Sequence, residues 1–127
     1  MSALVLDAGA LIAIDRDERA MAARLRAALD SGLGLRSHAM VVAQVWRDPL
    51  GRQAGLARLL RAVEVVDIDD RLGRAAGALC GTTGTNDPID AAVALIANAG
   101  DHIITSDPDD ITLLLRGTKT AATVIGV

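Results

Sequence analysis

The chain has 127 residues, 51% of them hydrophobic, and a formal net charge of −3. This length suits one domain with one core, so residues 1–127 are expected to form a single domain. The longest apolar stretches are far shorter than the roughly 20 residues that span a bilayer, and the N-terminus shows no signal-sequence pattern. Composition therefore argues against a membrane protein or a secreted one, and we expect a cytoplasmic protein.

The charges are distributed unevenly along the chain. Nine Arg and four acids lie between Arg16 and Arg61, whereas six Asp and neither Lys nor Arg lie between Asp87 and Asp110. The net charge alone argues against a nucleic-acid partner, but the first segment is suited to contacting phosphates. The second segment is suited to holding divalent cations, which reverse the local sign of the charge.

Strand-like and helix-like patterns alternate along the chain. Strand patterns cover residues 3–6, 33–36, 63–66, 102–105 and 122–125. Helical patterns cover residues 8–14 (a short helix or turn), 18–30, 38–46, 52–62, 69 or 70 to about 80, 88–98 and 108–115, and residues 81–86 are loop-like. Caps are expected from residues 15–17 for the second helix and from Ser37 for the third.

This alternation predicts an α/β fold with three layers. Phe and Tyr are absent and only one Trp is present, so the core must consist of Leu, Val, Ile and Ala. Such side chains suit parallel strands that are buried on both faces by helices. We therefore expect an α/β/α architecture around a mainly parallel sheet of about five strands.

Three acids follow or approach predicted strand ends. Asp7 ends the first strand, Asp107 follows the strand at 102–105, and Asp90 opens a helix. Ligands bind at the carboxyl edge of open α/β sheets, so these acids are expected to meet there. Convergent carboxylates without His or Cys are the ligands that Mg²⁺ and Mn²⁺ prefer. The pattern predicts a metal-binding acidic pocket.

Helix capping is the competing interpretation of the same acids. Asp87 and Asp107 each precede a Pro, as the N-cap of a helix often does, and Asp90 and Asp110 follow three residues later, where a negative charge favours the helix N-terminus. Asp7 has the weakest capping role of the set. Its position at the end of a buried strand is the reason to prefer a functional pocket.

Four segments in this order and spacing resemble a known family along nearly the whole chain. They are LVLDAGALIAI (4–14), VVAQVWRDP (41–49), DPIDAAVALIANAG (87–100) and IITSDPDDI (103–111). The chain resembles PIN domains, specifically the VapC-type toxins of bacterial toxin–antitoxin pairs. The resemblance implies a PIN-like α/β/α fold.

The resemblance also implies which residues form the site. Asp7, Asp90 and Asp107 match the family's first, third and fourth acids, which hold Mg²⁺ or Mn²⁺ for catalysis. Asp87 and Asp109 are adjacent to these acids and are expected to be auxiliary metal ligands.

The second family acid is replaced in this chain. PIN domains usually place a Glu in the helix after the second strand, and the matching residue here is Gln44. An amide oxygen can orient a water or coordinate weakly, but the site has one negative charge fewer. We therefore expect Gln44 to belong to the catalytic set with reduced metal affinity, although it is also compatible with a simple polar residue on an exposed helix face.

The implied activity is that of a metal-dependent endoribonuclease toxin acting on tRNA or rRNA. Its implied partners are a VapB-type antitoxin and a second copy of the chain, with residues 52–62 and the preceding helix as candidate antitoxin contacts. Without Phe or Tyr for stacking, RNA contacts would come from Arg side chains and from Trp46 or His38.

Two other functions compete with this one. The first is a PIN scaffold that binds metal and RNA with weak cleavage or none, because Gln44 replaces the Glu. The second is a receiver-type phosphoacceptor domain, for which Asp67 after the third strand and Lys119 have suitable positions. That second function would also need paired acids after the first strand, where Asp7 is followed by Ala8.

Overall fold

The computed structural model describes residues 2–127, with Pro49 described by its backbone alone. The strands β1 to β5 span Ala3–Leu6, Gly34–His38, Val63–Val66, His102–Thr105 and Thr123–Gly126. The helices α1 to α7 span Ala8–Asp15, Arg19–Asp30, Ala39–Val45, Ala54–Leu60, Asp70–Thr83, Pro88–Ile96 and Pro108–Thr118, and a short 3₁₀ turn spans Pro49–Gly51. Each helix within residues 2–127 is too short or too polar to cross a bilayer.

The five strands form one parallel sheet in the order β3-β2-β1-β4-β5. The central strand β1 pairs with both β2 and β4, so that Val5 lies beside Arg36 on one side and Ile103 on the other. The predicted parallel sheet of about five strands is confirmed.

Helices cover both faces of this sheet. On one face α2, α3 and α4 each pack against α1, and on the other α5, α6 and α7 pack against one another. Right-handed crossovers require this division, because the chain moves from β1 to β2 and β3 in one direction and then returns past β1 to β4 and β5. The predicted three-layer α/β/α arrangement is confirmed.

The core is aliphatic and is centred on the inner strands. Its largest fully buried apolar side chains come from β1, β4 and the helices beside them, namely Leu6, Leu11, Leu56, Ile103, Ile104, Ile111 and Leu114. Strands buried on both faces have continuous apolar sequences, which is why β1 and β4 could be predicted from the sequence.

The start of α3 differs from the prediction. Strand β2 continues to His38, because Ser37 and His38 pair with Val65 and Val66 of β3. Ser37 is therefore a buried strand residue whose hydroxyl donates to the carbonyl of Leu6 at 2.7 Å. The expected Ser37 cap is wrong, and His38 caps α3 instead.

Other helix ends also shift. Helix α5 continues to Thr83 and ends where Gly84 adopts a left-handed conformation with φ of 71°, so the loop expected at 81–86 begins only at residue 84. Helix α7 runs to Thr118 rather than residue 115, while α6 stops at Ile96 and α4 is shorter than predicted at both ends. The cap expected for α2 within residues 15–17 is wrong, since α2 follows Glu18 with no side-chain cap.

Candidate functional site

The carboxyl edge of the sheet has a topological switch point between β1 and β4. These neighbouring strands are followed by helices on opposite faces, because α1 lies on the side of α2 to α4 and α7 on the side of α5 and α6. Such a division leaves a crevice between the two helix starts, where α/β proteins bind ligands. Asp7 and Asp107 are the residues directly before α1 and α7.

Asp7 is buried and has both carboxylate oxygens engaged. Its Oδ1 accepts from the amide N–H of Ala8 at 2.8 Å, and its Oδ2 accepts from the hydroxyl of Thr105 at 2.7 Å. Asp7 is thus the N-cap of α1, and the expectation that it has only a weak capping role is wrong. The two bonds fix the carboxylate at the mouth of the crevice.

Thr105 joins the two strand ends. Its buried hydroxyl donates to Asp7 and accepts from the amide N–H of Asp107 at 3.0 Å. The adjoining Ser106 lies so close to α1 that a Cβ on Gly9 would stand 3.3 Å from it. This positioning role of Thr105 was not predicted, and the Thr-x-Asp spacing is its only sequence signal.

Asp90 lies in the first turn of α6 and faces the other acids. Burial and the charges of Asp7, Asp87, Asp107 and Asp110 raise its pKa from 3.8 to about 7. An isolated buried carboxyl would feel burial alone, so the added charge effects indicate that the acids after β1, in α6 and at the start of α7 share one electrostatic environment. The structure thereby brings together the three acids predicted to form the site.

The other acids around the site have different roles. Asp87 caps α6 by accepting from the amides of Ile89 and Asp90 at 3.0 and 3.1 Å. Asp107 makes no cap bond through its side chain. Asp109 is exposed, and the charge acting on Asp90 from the first turn of α7 comes from Asp110 instead, one helical turn from Asp107.

Two open clefts flank these acids. One, of about 240 Å³, is lined by Asp87, Asp90 and Asp110 beside the loop that ends α5. The other, of about 290 Å³, is lined by Ser106, Asp107, Asp109 and Asp110. The second cleft has a mainly polar lining, whereas Leu113 and Leu114 add apolar surface to the first. The carboxylates in both would admit a phosphate chain only when cations accompany it.

The acids carry uncompensated negative charge but do not form a closed coordination shell. Within residues 2–127, no group of three or more His, Cys, Asp and Glu side chains is close enough to hold a metal ion as it stands. The ion pairs between described residues join Arg36 to Glu64 and Asp101, and Arg74 to Asp70, so none neutralises the site. A hard divalent cation fits these donors chemically, and its binding would require the carboxylates to draw together.

The remaining predicted residues have contrasting positions. Gln44 is exposed near the C-terminal end of α3, and Trp46 is partly buried. His38 is fully buried, with Nε2 2.9 Å from the carbonyl of Ile89. The expectation that His38 contacts RNA is therefore wrong.

No family model and no curated protein matches the chain. A solved structure does match: the crystal structure of VapBC2 from Rickettsia felis bound to a DNA fragment from their promoter. The two chains are 14% identical and superpose with a TM-score of 0.67 over 96% of this chain and 98% of that one. At this identity the likeness establishes fold alone, and it confirms the PIN-like α/β/α fold that the sequence resemblance implied.

Proposed function

We propose that the chain is the toxin of a toxin–antitoxin pair and acts as a metal-dependent endoribonuclease. The observation that carries this proposal is the meeting of Asp7, Asp90 and Asp107 at the switch point, with a pKa of about 7 for Asp90. Acids from separated segments that together raise the proton affinity of a buried carboxyl among them, here Asp90, are typical of functional sites rather than of independent helix caps.

The acids have distinct tasks in this proposal. Asp7 keeps unused lone pairs on oxygens already oriented by Ala8 and Thr105, so it can accept a cation without moving. Asp107 has no competing cap bond, and Asp90 must lose its proton before it can bind. A bound Mg²⁺ or Mn²⁺ would lower the pKa of a water for in-line attack on a phosphodiester and stabilise the charge on the phosphate oxygens. Asp87 and Asp109 would support the same ions.

RNA is the proposed substrate, with tRNA and rRNA as the classes that the family resemblance implies. The Arg-rich segment from Arg16 to Arg61 contains α2, α3 and α4, which form one layer with α1, and α1 starts at the site. Positive side chains in that layer would bind phosphates by a contribution that weakens with salt. Gln44 belongs to the same layer and is proposed to orient a water.

A cleft between α1, α2 and α4 suits the proposed antitoxin. It has a volume of about 450 Å³ and is lined by Leu25, Leu29 and Leu59 together with Arg26 and Arg58. An amphipathic segment with apolar and acidic side chains would match this lining. The cleft includes the predicted contact helix at 52–62, but it combines that helix with α1 and α2 rather than with α3. The complex named in the matched structure, VapBC2, supports such a partner by analogy.

A homodimer is also proposed, on the basis of exposed apolar side chains. Met40 is 44% exposed, Leu113 40% and Val65 38%. Exposed apolar side chains that lie together in one patch commonly mark an interface, and a dimer would cover such a patch. Light scattering at micromolar concentration should give twice the mass of 13.1 kDa, and a monomer would refute this part of the proposal.

The alternatives are separated by the fold and by one assay. In a receiver-type domain the acceptor strand lies beside β1, whereas β3 here is an edge strand separated from β1 by β2. This places Asp67 away from Asp7 and argues against a phosphoacceptor. A PIN scaffold without cleavage remains the second candidate, and it is favoured by the replacement of the usual Glu with Gln44.

The decisive experiment is RNA cleavage by metal-free protein on addition of Mn²⁺. Wild type and Asp67→Asn should cleave total tRNA or rRNA only with the metal, and Asp7→Asn should not cleave. The Asn can still accept from Ala8 and donate to the hydroxyl oxygen of Thr105, so its fold should persist. Cleavage by Asp7→Asn at the wild-type rate would refute the site. Metal binding by wild type without cleavage would favour the scaffold.

A further inference from the structure

His38 is a buried titratable side chain that the proposed chemistry does not use. It ends β2, the strand beside β1, and its side chain is completely shielded from solvent. A buried imidazole needs partners for both ring nitrogens. The partners that it has lie in two different helices.

One ring nitrogen of His38 bonds to the start of α3. The Nδ1 of His38 accepts from the amides of Met40 and Val41 at 3.2 and 3.3 Å and so caps this helix. An accepting nitrogen carries no proton, so in the neutral ring the proton is on Nε2. Burial lowers the pKa of His38, which favours that neutral ring.

The other ring nitrogen of His38 bonds to the first turn of α6. The Nε2–H donates to the carbonyl of Ile89 at 2.9 Å, and Ile89 directly precedes Asp90 in the first turn of that helix. Because α3 and α6 lie in opposite layers, the ring ties the two layers together at the carboxyl edge of the sheet.

This tie acts against a repulsive force. Asp90 is close to the charges of Asp7, Asp107 and Asp110, and these acids of other segments repel an ionised Asp90 and so push the first turn of α6 away from the strand ends. Asp87 caps that turn from within the same segment and so cannot hold it against the sheet. The bond from His38 can, because its own backbone is fixed in β2.

We propose that His38 is a positioning residue that holds the first turn of α6, and with it Asp90, at the carboxyl edge of the sheet, from where the carboxylates of Asp90 and Asp7 can draw together on a divalent cation. This inference rests on the proposed function. It gives His38 a role through Ile89 and Asp90, without contact with metal or RNA.

Two substitutions separate the two bonds of the ring. In His38→Asn the side-chain amide ends where Nδ1 lies, so it can cap α3 but cannot reach Ile89. In His38→Gln the amide reaches the position of Nε2, so it can donate to Ile89 but caps α3 poorly. The matched control is His102→Gln. His102 is the first residue of β4 and therefore lies at the amino ends of the parallel strands, away from the acids at their carboxyl ends.

The measurements are Mn²⁺ affinity by calorimetry and amide hydrogen exchange at residues 90–92 in metal-free protein. His38→Asn should bind Mn²⁺ about 10-fold more weakly, as is usual when a partner that orients a metal ligand is lost, and its amides at 90–92 should exchange faster. His38→Gln should keep both properties near wild type while unfolding at a lower temperature. His102→Gln should leave metal affinity unchanged.

The outcomes distinguish this inference from the proposed function. If wild type binds Mn²⁺ and His38→Asn binds it equally well, the positioning role is wrong while the proposed function stands. Equal loss of affinity in both His38 variants, in step with their stability, would reduce His38 to a general structural residue and also overturn the inference. A wild type that binds no Mn²⁺ overturns both proposals.

Discussion

Asp90→Asn should stabilise the metal-free protein at alkaline pH. In the folded protein burial and the neighbouring acids raise the pKa of Asp90 from 3.8 to about 7. Between these values the folded state holds a proton that the unfolded state has released. The free energy of unfolding therefore falls as pH rises through this window and becomes level above about 7. The amide removes the charge that causes this loss.

The difference in proton affinity between the folded and unfolded states sets the size of the effect. A tenfold difference in proton affinity corresponds to about 1.4 kcal/mol, so the upper bound at pH 8 is about 4 kcal/mol. Asp90 is only 7% exposed, which leaves limited screening by solvent, but the clefts beside it admit water. We expect Asp90→Asn to raise the free energy of unfolding by about 2 to 4 kcal/mol at pH 8 and by less than about 0.5 kcal/mol near pH 4.

Urea unfolding in EDTA at several pH values between 4 and 8 measures this difference. Asp67→Asn is the control, because it removes an exposed carboxylate outside the cluster and should change stability little at any pH. With Mn²⁺ present, wild type should be more stable than Asp90→Asn, because only a protein that binds the ion gains stability from it. A variant no more stable than wild type at pH 8 would refute the conclusion that the acids crowd Asp90.

The remaining predictions concern one further site residue and two structural features. Gln44→Glu should tighten Mn²⁺ binding in a calorimetric titration, and an equal or weaker affinity would place Gln44 outside the site. Asp101→Asn should lower the free energy of unfolding by about 3 kcal/mol, because it breaks a buried pair with Arg36 at 2.8 Å. Burial acts to raise the pKa of Asp101, but the amide donors of Asn98 and Ala3 and the pairing with Arg36 outweigh it and lower that pKa. The stabilising effect of Asp101 should therefore be present at neutral pH and fade on acidification, and a pH-independent difference from wild type would contradict this. Gly117→Ala should lower the free energy of unfolding, measured thermally, by about 1 to 3 kcal/mol, because a Cβ there would stand 2.7 Å from two side-chain carbons of α5. Gly77→Ala is the control and should stabilise the protein, because a Cβ at residue 77 would lie in open space. Equal effects of the two substitutions would refute the close packing of α7 against α5.

The sequence was sufficient where a signal is local and repeated. Strand-like patterns located all five strands to within two residues at each end, and the Asp-Pro pairs located the starts of α6 and α7. The positions of Asp7 and Asp107 at the carboxyl edge of the sheet could be predicted, because a residue that follows a parallel strand must lie there whatever its other contacts. These conclusions require only periodicity and topology.

The sequence was insufficient where a role depends on a distant partner. Thr105 is 98 residues from Asp7, and nothing local marks its hydroxyl as the donor that orients that carboxylate. His38 was expected at the surface because a lone His gives no sign of burial, and its partner Ile89 is 51 residues away. The contribution of Asp110 depends on which face α7 turns towards Asp90, which the helix start alone does not determine.

The central claim is that a divalent ion binds between Asp7, Asp90 and Asp107. Line broadening of backbone amide signals by substoichiometric Mn²⁺ tests it most directly, because the paramagnetic ion broadens the nearest amides first. We expect the signals at residues 7–8, 90 and 106–107 to disappear first, and those at Gly34 and His102 at the opposite edge of the sheet to persist. Broadening that begins at Asp69 and Asp70, or equally at all exposed acids, would contradict the account.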